Sequence, residues 1–411
     1  MLFRIYKIFA YLIYQFVHIY LNDRIRSNKE LKDRIDERYG ISTIDRKKGK
    51  LIWIHAASIG ESLSVLPVIK ELEKNKKINK ILLSSSTTSS ALIFSKYKFK
   101  KTTHIYFPID TNYLTNKFIN YWNPKVAIFI DSEIWPNMFK NLEKNNIPIV
   151  LINGRITKKS FMRWMKFPSF AIKIFKKISL ALPQNTETLK YLKILGVKKI
   201  KFVGNLKYFG QSKKFLDKST KLKFKNRLIF CAASTHYNEE LFIGKLHKEL
   251  KSKYKNLLTI IIPRHVNRSN SIINELESVN LNTVIRSSRQ KISKTTDIYI
   301  VDTYGEATKF YELSKVTFLG GSLIKHGGQN PLEPARLGNY ILHGPNIQNF
   351  KEVYRMLSKL NVSKKANNIN NMKKIIDRKI EYKQNSKIIK KLNLIGINIL
   401  KKNLTEINKF V

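Results

Sequence analysis

Short apolar runs alternate with amphipathic stretches along most of the chain. In the first half the runs are LIWIH, ILLSSS, HIYFP, VAIFI, IPIVLI and LALPQ, and KFVGN ends that half near Asn205. The rhythm restarts as RLIFCAAS, LLTIIIP, DIYIVD, VTFLGG and YILHG. Apolar runs separated by helical patterns are typical of strands in parallel α/β sheets. The pattern predicts two Rossmann-like, doubly wound α/β domains facing a central cleft, with ligands bound at the carboxyl ends of their strands.

The domain boundaries are predicted from the points where this rhythm stops and restarts. A charged stretch that includes residues 208–226 interrupts it and is predicted to be an interdomain linker. The first domain would then comprise residues 22–207 and the second residues 227–411. A length of 411 residues suits two domains better than one.

Residues 1–21 form a separate apolar segment, MLFRIYKIFAYLIYQFVHIYL. Arg4 and Lys7 leave an uncharged stretch shorter than the roughly 20 residues that span a bilayer. Spacing of three and four residues predicts a helix with one apolar, tyrosine-rich stripe formed by Phe3, Tyr6, Phe9, Ile13, Phe16 and Tyr20. This helix is either an interfacial membrane anchor or a core helix of the first domain.

The net charge of +48 suits nucleic acid, an anionic membrane or an acidic substrate equally well. The basic residues are spread along the chain, and no recognised nucleic-acid-binding motif is present, which argues against a nucleic-acid partner. The single cysteine, Cys231, excludes an internal disulfide and a thiolate metal site, and it fits a reducing compartment such as the cytoplasm.

The first candidate for chemistry follows the strand LIWIH, where Ser58 is a predicted N-cap and Glu61 comes three residues later. Two interpretations are open. Glu61 either closes a capping box by accepting a hydrogen bond from the Ser58 backbone, or it acts as a general base for an incoming hydroxyl group.

Two carboxylates, Asp131 and Glu133, directly follow the buried strand VAIFI. They could position a substrate, stabilise positive charge or bind a divalent ion, or they could be ordinary loop residues; no second acidic cluster supports a metal site. Arg155 and Lys207 also follow apolar runs. Each could contact a phosphate or carboxylate, or be a solvated charge.

In the second half, Arg264 and His265 follow one predicted strand, and Gly305 and Glu306 follow the next. A glycine-rich loop then leads into a helix whose predicted N-cap, N1 and N3 positions are Asn330, Pro331 and Glu333. Gly327 and Gly328 would let the backbone approach a nucleotide phosphate at the helix N-terminus, while Glu333 would face ribose hydroxyls or complete the cap. Dinucleotide and P-loop fingerprints are absent from the sequence.

An ordered set of motifs carries a resemblance to a known family. HAASIGES, DSEIWPN, NGRIT, QNTET, GNLKY, ASTHYNEE, PRH, DTYGE and GGSLIKHGGQNPLEPA resemble the 3-deoxy-D-manno-octulosonic acid (Kdo) transferases, from KDRIDERYG to about Phe350. The resemblance implies a GT-B fold and an inverting, metal-independent transfer that needs no cofactor. It also implies CMP-Kdo as donor and the lipid A precursor lipid IVA as acceptor, in lipopolysaccharide core synthesis.

The same resemblance implies a location at the anionic cytoplasmic face of the inner membrane of a Gram-negative bacterium. It assigns the general base to Glu61, within a substrate-binding S-x-G-E motif that includes Ser58 and Gly60, and it adds Arg155 to the substrate-binding residues. Asp131 and Lys207 would stabilise the transition state, with Glu133 beside them. Asp131 is a departure, because the family has Glu at this position.

The residues that the resemblance implies for CMP binding come from three loops of the second half. They are Pro263, Arg264, Gly305, Glu306, Ala307, Asn330, Pro331, Leu332 and Glu333, to which the glycine-rich loop adds Gly327 and Gly328. Two rival functions remain: another GT-B enzyme, such as a UDP-sugar transferase or epimerase, and a basic nucleic-acid-binding protein.

Overall fold

The structure is a computed structural model that describes residues 2–46, 48–209, 216–217, 221–288, 290–383 and 385–411. It contains two compact units. The first comprises Met1–Phe209 and Gly396–Val411, and the second comprises Gly210–Ile395.

The first unit alternates strands and helices, as the apolar runs predict. Its strands are β1 (Leu51–His55), β2 (Lys80–Ser85), β3 (Thr102–Tyr106), β4 (Val126–Ile130), β5 (Ile149–Gly154) and β6 (Ile178–Pro183). Its helices are α1 (Leu2–Arg26), α2 (Ile59–Lys74), α3 (Thr88–Ser95), α4 (Asn112–Trp122), α5 (Pro136–Lys144), α6 (Lys158–Trp164), α7 (Pro168–Phe175) and α8 (Thr186–Ile194). Short 3-10 helices are present at Lys32–Tyr39 and Leu206–Tyr208.

The six strands of the first unit form one parallel sheet in the order β3-β2-β1-β4-β5-β6. Every residue of β1, β4 and β5 is buried, because helices cover both faces of a doubly wound sheet. Trp53 is fully buried at the centre of the core, and its ring packs against those of Phe107, Phe118 and Phe129.

The second unit repeats the architecture with shorter elements. Its strands are β7 (Leu228–Thr235), β8 (Leu257–Pro263), β9 (Thr283–Ile285), β10 (Ile298–Ile300), β11 (Val316–Leu319), β12 (Tyr340–His343) and β13 (Ser363–Lys365). Its helices are α9 (Glu239–Lys251), α10 (Ser269–Glu277), α11 (Ala307–Tyr311), α12 (Leu332–Arg336), α13 (Lys351–Lys359) and α14 (Ile369–Lys379). Three further 3-10 helices are Val266–Arg268, Gln348–Phe350 and Asn408–Phe410, the last of them in the first unit.

These strands form a second parallel sheet in the order β13-β12-β11-β7-β8-β10-β9. The prediction of two doubly wound parallel α/β domains is confirmed. The edge strands β9 and β13 were not predicted, because each has only three residues and neither is an apolar run buried along its length.

Two expectations about the chain's organisation differ from the structure. The run KFVGN is not a strand; a single parallel bridge joins neighbouring Ile200 to Ala181. The last helix, α15 (Ser386–Ile407), begins in the second unit and ends in the first, so residues 396–411 pack with the first unit and not with the second. Gly396 permits this packing, since a Cβ there would lie 2.3 Å from the carbonyl oxygen of Tyr208.

The expected linker at residues 208–226 is also not one continuous connection. Residues 210–215 and 218–220 lie outside the described part of the chain. Phe224 is buried in the second unit, where its ring packs against those of Tyr299 and Phe310. The end of the charged stretch therefore contributes to a core, because its aromatic side chain has apolar partners there.

Helix α1 has two apolar faces where the sequence predicts one stripe. The inner face packs on the first unit: Val17 and Leu21 are buried, and the Tyr6 hydroxyl donates a hydrogen bond to Asp110 Oδ2 at 2.8 Å. The opposite face exposes a second set of large apolar side chains, Ile8, Tyr11, Leu12, Phe16, Ile19 and Tyr20. The helix is thus a packed element of the unit that also presents an apolar surface.

The predicted stripe mixes the two faces, because Tyr6 points inward whereas Phe16 and Tyr20 are exposed. Its other members, Phe3, Phe9 and Ile13, have side chains outside the described part of the structure. In the described residues, no helix combines the length and the apolar character needed to cross a membrane.

Candidate active site

The candidate site of the first unit lies where the order of the sheet reverses. Strands β1 and β4 are neighbours, but the chain continues from β1 to β2 on one side and from β4 to β5 on the other. In doubly wound sheets this switch point is where ligands bind. His55 ends β1, Asp131 and Glu133 follow β4, and Glu61 lies in the first turn of α2, directly after β1.

Glu61 makes the capping box that the sequence predicts. Its Oε2 accepts hydrogen bonds from the backbone N–H groups of Ala57 at 2.7 Å and Ser58 at 3.4 Å, and the Ser58 hydroxyl accepts from the Glu61 N–H. Glu61 is also buried, with 9% of its surface exposed. Burial, followed by repulsion from Glu133 and Asp131, raises the pKa of Glu61 to about 7. The cap therefore holds in place a carboxylate that exchanges its proton near neutral pH.

One carboxylate oxygen of Glu133 contacts the ring nitrogens of two aromatic side chains. Trp135 Nε1 donates to Oε2 at 2.9 Å, and His55 Nε2 lies 3.3 Å from the same atom. His55 is itself fully buried, with Nδ1 3.0 Å from the hydroxyl oxygen of Ser84. Glu133 is thereby fixed at a position from which its charge repels that of Glu61.

Asp131 is buried and lies in a left-handed backbone conformation with φ of 54°, which aspartate tolerates better than most residues. Asn153 Nδ2 donates to its Oδ1, and Lys207 Nζ lies 3.4 Å from its Oδ2. Asn153 Oδ1 in turn accepts the backbone N–H of Leu206 at 2.9 Å. The ends of β4 and β5 and the segment that carries Lys207 are thus joined through one aspartate and one asparagine.

The remaining predicted residues of the first unit follow strands β1 and β5. Ser58, Gly60 and Arg155 are exposed, and a Cβ at Gly60 would have no atom within 4 Å. The backbone N–H of Arg155 donates to the carbonyl oxygen of Asp131 at 2.9 Å, so this arginine begins beside the carboxylate network.

In the second unit, a buried glutamate organises the corresponding switch point, between β7 and β11. Glu239 is 1% exposed and accepts hydrogen bonds from four backbone N–H groups, those of His236, Gly321, Ser322 and Leu323, at 2.6 to 3.1 Å. These amides follow β7 and β11, and all four are occupied by this chain's own carboxylate. They are therefore not vacant donors for a phosphate.

The glycine-rich loop differs from its prediction in two respects. Helix α12 has only five residues, with Pro331 at the N-cap position and no side-chain cap. The helix therefore begins one residue later than predicted, and Asn330, just before the N-cap, accepts the Leu332 N–H at 3.1 Å. The two glycines also accommodate this chain's own atoms, because a Cβ at Gly327 or Gly328 would lie 2.6 Å or 3.1 Å from residues 346–349. A five-residue helix has a weak dipole. Close packing against residues 346–349 therefore explains the two glycines better than a phosphate bound at the helix N-terminus does.

Glu306 is engaged in a local ionic network. Its carboxylate accepts hydrogen bonds from Arg286, Lys309 and Thr303, and the bond from Arg286 above all lowers its pKa to about 2. Gly305 has a positive φ of 77° and Ala307 begins α11. Glu306 is thus a permanently charged residue that orders the loop after β10.

The other predicted nucleotide-binding residues lie at the carboxyl end of β8 and in helix α12. Pro263 ends β8 and is buried, while Arg264 is exposed and donates its backbone N–H to the carbonyl oxygen of Thr235 at 2.9 Å. Leu332 is buried and Glu333 is exposed. Across the described residues, no group of three or more His, Cys, Asp or Glu side chains could hold a metal ion.

Sequence reasoning did not assign three residues that shape these sites: His55, Asn153 and Glu239. Each is a polar residue at or just after the end of a buried strand, and each lies inside a motif that the resemblance had already marked. A polar residue at such a position was the sequence signal that could have identified them. Their partners are distant in the sequence and could not be identified from it.

Comparisons with known proteins show which family this chain is similar to. Residues 33–209 match the family described as 3-deoxy-D-manno-octulosonic-acid transferase (kdotransferase). The chain is 31% identical over 382 residues to the 3-deoxy-D-manno-octulosonic acid transferase of Haemophilus influenzae, covering 90% of this chain and 88% of that protein. It is 34% identical over 348 residues to the Rickettsia bellii protein of the same name, covering 84% and 82%.

Among solved structures, a glycosyltransferase from Rickettsia africae superposes with a TM-score of 0.59 at 13% identity, covering 89% of this chain and 99% of that one. At this identity the likeness concerns the fold alone, and it confirms the expected GT-B class.

This chain belongs to the 3-deoxy-D-manno-octulosonic acid transferase family. It is therefore a glycosyltransferase, and the nucleic-acid-binding alternative is set aside by that membership.

Proposed function

We propose that this enzyme transfers Kdo from CMP-Kdo to lipid IVA in lipopolysaccharide core synthesis, with inversion and without a metal. The observation that carries the proposal is Glu61, whose pKa is raised to about 7 at the switch point of the first sheet. A base works best when its pKa is close to the operating pH. The first unit would bind the acceptor and supply the base, and the second would bind CMP-Kdo.

In the proposed step, Glu61 accepts the proton of an acceptor sugar hydroxyl. The oxygen forms a bond to the anomeric carbon of Kdo, while the bond from that carbon to the phosphate oxygen breaks and CMP leaves with the electron pair. Attack on the face opposite the leaving group inverts the anomeric configuration.

Lys207 and Asp131 would stabilise the charges that develop during this step. The Lys207 ammonium, 3.4 Å from Asp131, supplies positive charge for an anionic donor group, and a preorganised charge needs no reorganisation as the reaction proceeds. Asp131 is shorter than the family's glutamate by one methylene. Its bonds to Asn153 and Lys207 hold it with both oxygens engaged.

The family resemblance supports CMP binding by the loops after β8, β10 and β11. Arg264 is an exposed cation in the first of these loops, and Gly305 leaves open space for a ligand in the second. Asn330, Pro331, Leu332 and Glu333 belong to the third. Donor and acceptor are both acidic, so the chain's net charge of +48 would raise their local concentration.

We also propose that α1 lies on the anionic cytoplasmic face of an inner membrane. Its exposed face carries large apolar side chains, including Phe16 at 66% and Ile19 at 58% exposure, and amphipathic helices of this kind bury such faces in the lipid interface. Phe16→Ser with Ile19→Ser should reduce sedimentation with phosphatidylglycerol-containing vesicles. Leu394→Ser, which alters an apolar residue of α15 that is 52% exposed, is the matched control. Equal binding by all three proteins would refute the anchor.

The function is tested by following Kdo transfer from CMP-Kdo to lipid IVA with the purified wild-type chain. We expect transfer without added metal and unchanged activity in a chelator. Tight binding of a UDP-sugar with no response to CMP would instead favour the other candidate function, a GT-B enzyme that uses UDP-sugars.

A further inference from the structure

Three histidines meet at the carboxyl ends of the central strands of the second unit. His236 follows β7, His265 follows β8, and His326 lies in the loop after β11. The ring centroid of His236 is 4.3 Å from that of His326 and 5.9 Å from that of His265. Because β7 and β11 flank the switch point of this sheet, the cluster lies where a doubly wound domain binds its ligand.

His236 is the buried member of the cluster, with 8% of its surface exposed. Its Nε2 atom is inaccessible and has no hydrogen-bond partner in the described part of the chain. Buried polar atoms in native proteins are almost always paired, so an orphaned one calls for a partner that binds during function. Glu239 does not serve this atom, since it accepts the backbone N–H of His236 and not the ring.

The surroundings of His236 favour an anion as that partner. Arg264 and Arg268 lie close enough to contribute positive potential at the ring, and His265 and His326 are exposed beside it. Burial and then the His326 ring lower the pKa of His236 to about 4, so this imidazole is neutral at pH 7 and can donate through an Nε2–H group. The two arginines would repel a metal cation.

Gly321 lets the rings of the cluster lie close to the backbone. A Cβ at this position, which has a positive φ of 64°, would lie 3.0 Å from His326 Nδ1 and 3.3 Å from His236 Nε2. The adjacent ring of His326 is exposed and precedes Gly327 and Gly328. We expect that ring to turn aside when a ligand oxygen reaches His236.

We propose that His236, with His265 and His326, forms an oxyanion site that holds an anionic group of the sugar-nucleotide donor. The proposal rests on the proposed function, because it takes CMP-Kdo as the ligand. That donor offers two anionic groups, the phosphate of CMP and the carboxylate of Kdo, and both are acceptors for an imidazole N–H.

The test measures CMP binding by calorimetry and the KM for CMP-Kdo in the full-length His236→Asn variant, which lacks a donor at the Nε2 position. A hydrogen bond to a charged group contributes enough that its loss should weaken binding by about 10- to 100-fold. His236→Gln, whose longer amide can place a donor near that position, should recover part of the affinity. His343→Asn, which alters another buried histidine at a strand end in the same unit, should leave CMP affinity unchanged.

The two ligands distinguish the two anionic groups. Weaker binding of CMP itself assigns the site to the phosphate, whereas a raised KM for CMP-Kdo with normal CMP binding assigns it to the Kdo carboxylate. Normal values for both ligands in a folded His236→Asn variant would overturn the proposal, and so would an equal loss in His343→Asn.

If His236→Asn does not fold, His326→Asn replaces an exposed ring of the same cluster and should weaken the same ligand by a few fold; no change would again overturn the proposal. A wild-type chain that neither binds CMP nor transfers Kdo would instead contradict the proposed function, whatever the variants do.

Discussion

The two units build sites at the same topological position from opposite chemistry. In the first, carboxylates cluster after β1 and β4, and burial, followed by repulsion from its neighbours, raises the pKa of Glu61. In the second, imidazoles and arginines cluster after β7 and β8, and the main carboxylate, Glu239, is saturated by backbone N–H groups. The same fold therefore gathers carboxylates in one unit and imidazole and guanidinium groups in the other, because the switch point fixes where side chains converge but not which side chains they are.

The largest effect should come from Glu61→Gln. A glutamine at the third helical position can still accept the capping hydrogen bonds, but it cannot accept a proton. Transfer should fall by about 100- to 10,000-fold, the usual contribution of a general base. Retained activity would reduce Glu61 to its capping role.

The same variant has a stability signature. The folded pKa of Glu61 is about 7, above its ordinary value of 4.5, so the wild type gains stability at low pH and loses it as pH rises through 7. The Gln variant lacks this dependence. Its melting temperature relative to wild type should therefore rise between pH 5 and pH 8.

The next largest effect is expected in the second unit, on stability and on CMP binding. Glu239→Gln replaces two acceptor oxygens by one, so some of the four backbone N–H groups lose their partner. Each unsatisfied buried group costs about 1–3 kcal/mol, which should lower the melting temperature and weaken CMP binding. The pH dependence of the transfer step should be unchanged. Glu277→Gln, an exposed charge on α10, controls for the change in net charge.

A smaller effect is expected on the pH profile of transfer when a carboxylate beside Glu61 is removed. The rate should decline below about pH 7, where Glu61 is protonated. Glu133→Gln removes the stronger of the two repelling charges, so the acidic limb of the kcat/KM profile should move to lower pH. Glu143→Gln, an exposed carboxylate of the same unit, should leave the limb in place. An unmoved limb in Glu133→Gln would mean that Glu133 does not raise this pKa, which would leave burial and Asp131 as its causes.

The smallest expected effect concerns the C-terminal helix. Gly396→Ala would place a Cβ 2.3 Å from the carbonyl oxygen of Tyr208, which directly follows Lys207 in the chain. Overpacking of this kind costs about 1–3 kcal/mol in the free energy of unfolding. Urea denaturation provides the measurement, and Gly60→Ala, whose Cβ meets no atom, is the control for stability alone.

The sequence by itself determined the two-domain parallel α/β architecture, the central strands and the family. Central strands such as β1 and β8 are buried along their whole length, so their apolar runs are local signals. The short strands β9 and β13 are not apolar along their whole length and were missed. The motifs also placed Glu61, Asp131 and Glu133 at strand ends, where a parallel sheet gathers its ligand-binding groups.

Only the tertiary structure decided how those residues act on one another. That Glu133 and Asp131 raise the pKa of Glu61, and that Asn153 joins Asp131 to the Lys207 segment, depends on strands that are adjacent in space but far apart in the chain. The same holds for the His236 cluster, for the placement of residues 396–411 in the first unit and for the second apolar face of α1. Local patterns specify elements, whereas pKa values and unpaired buried atoms depend on which elements come into contact.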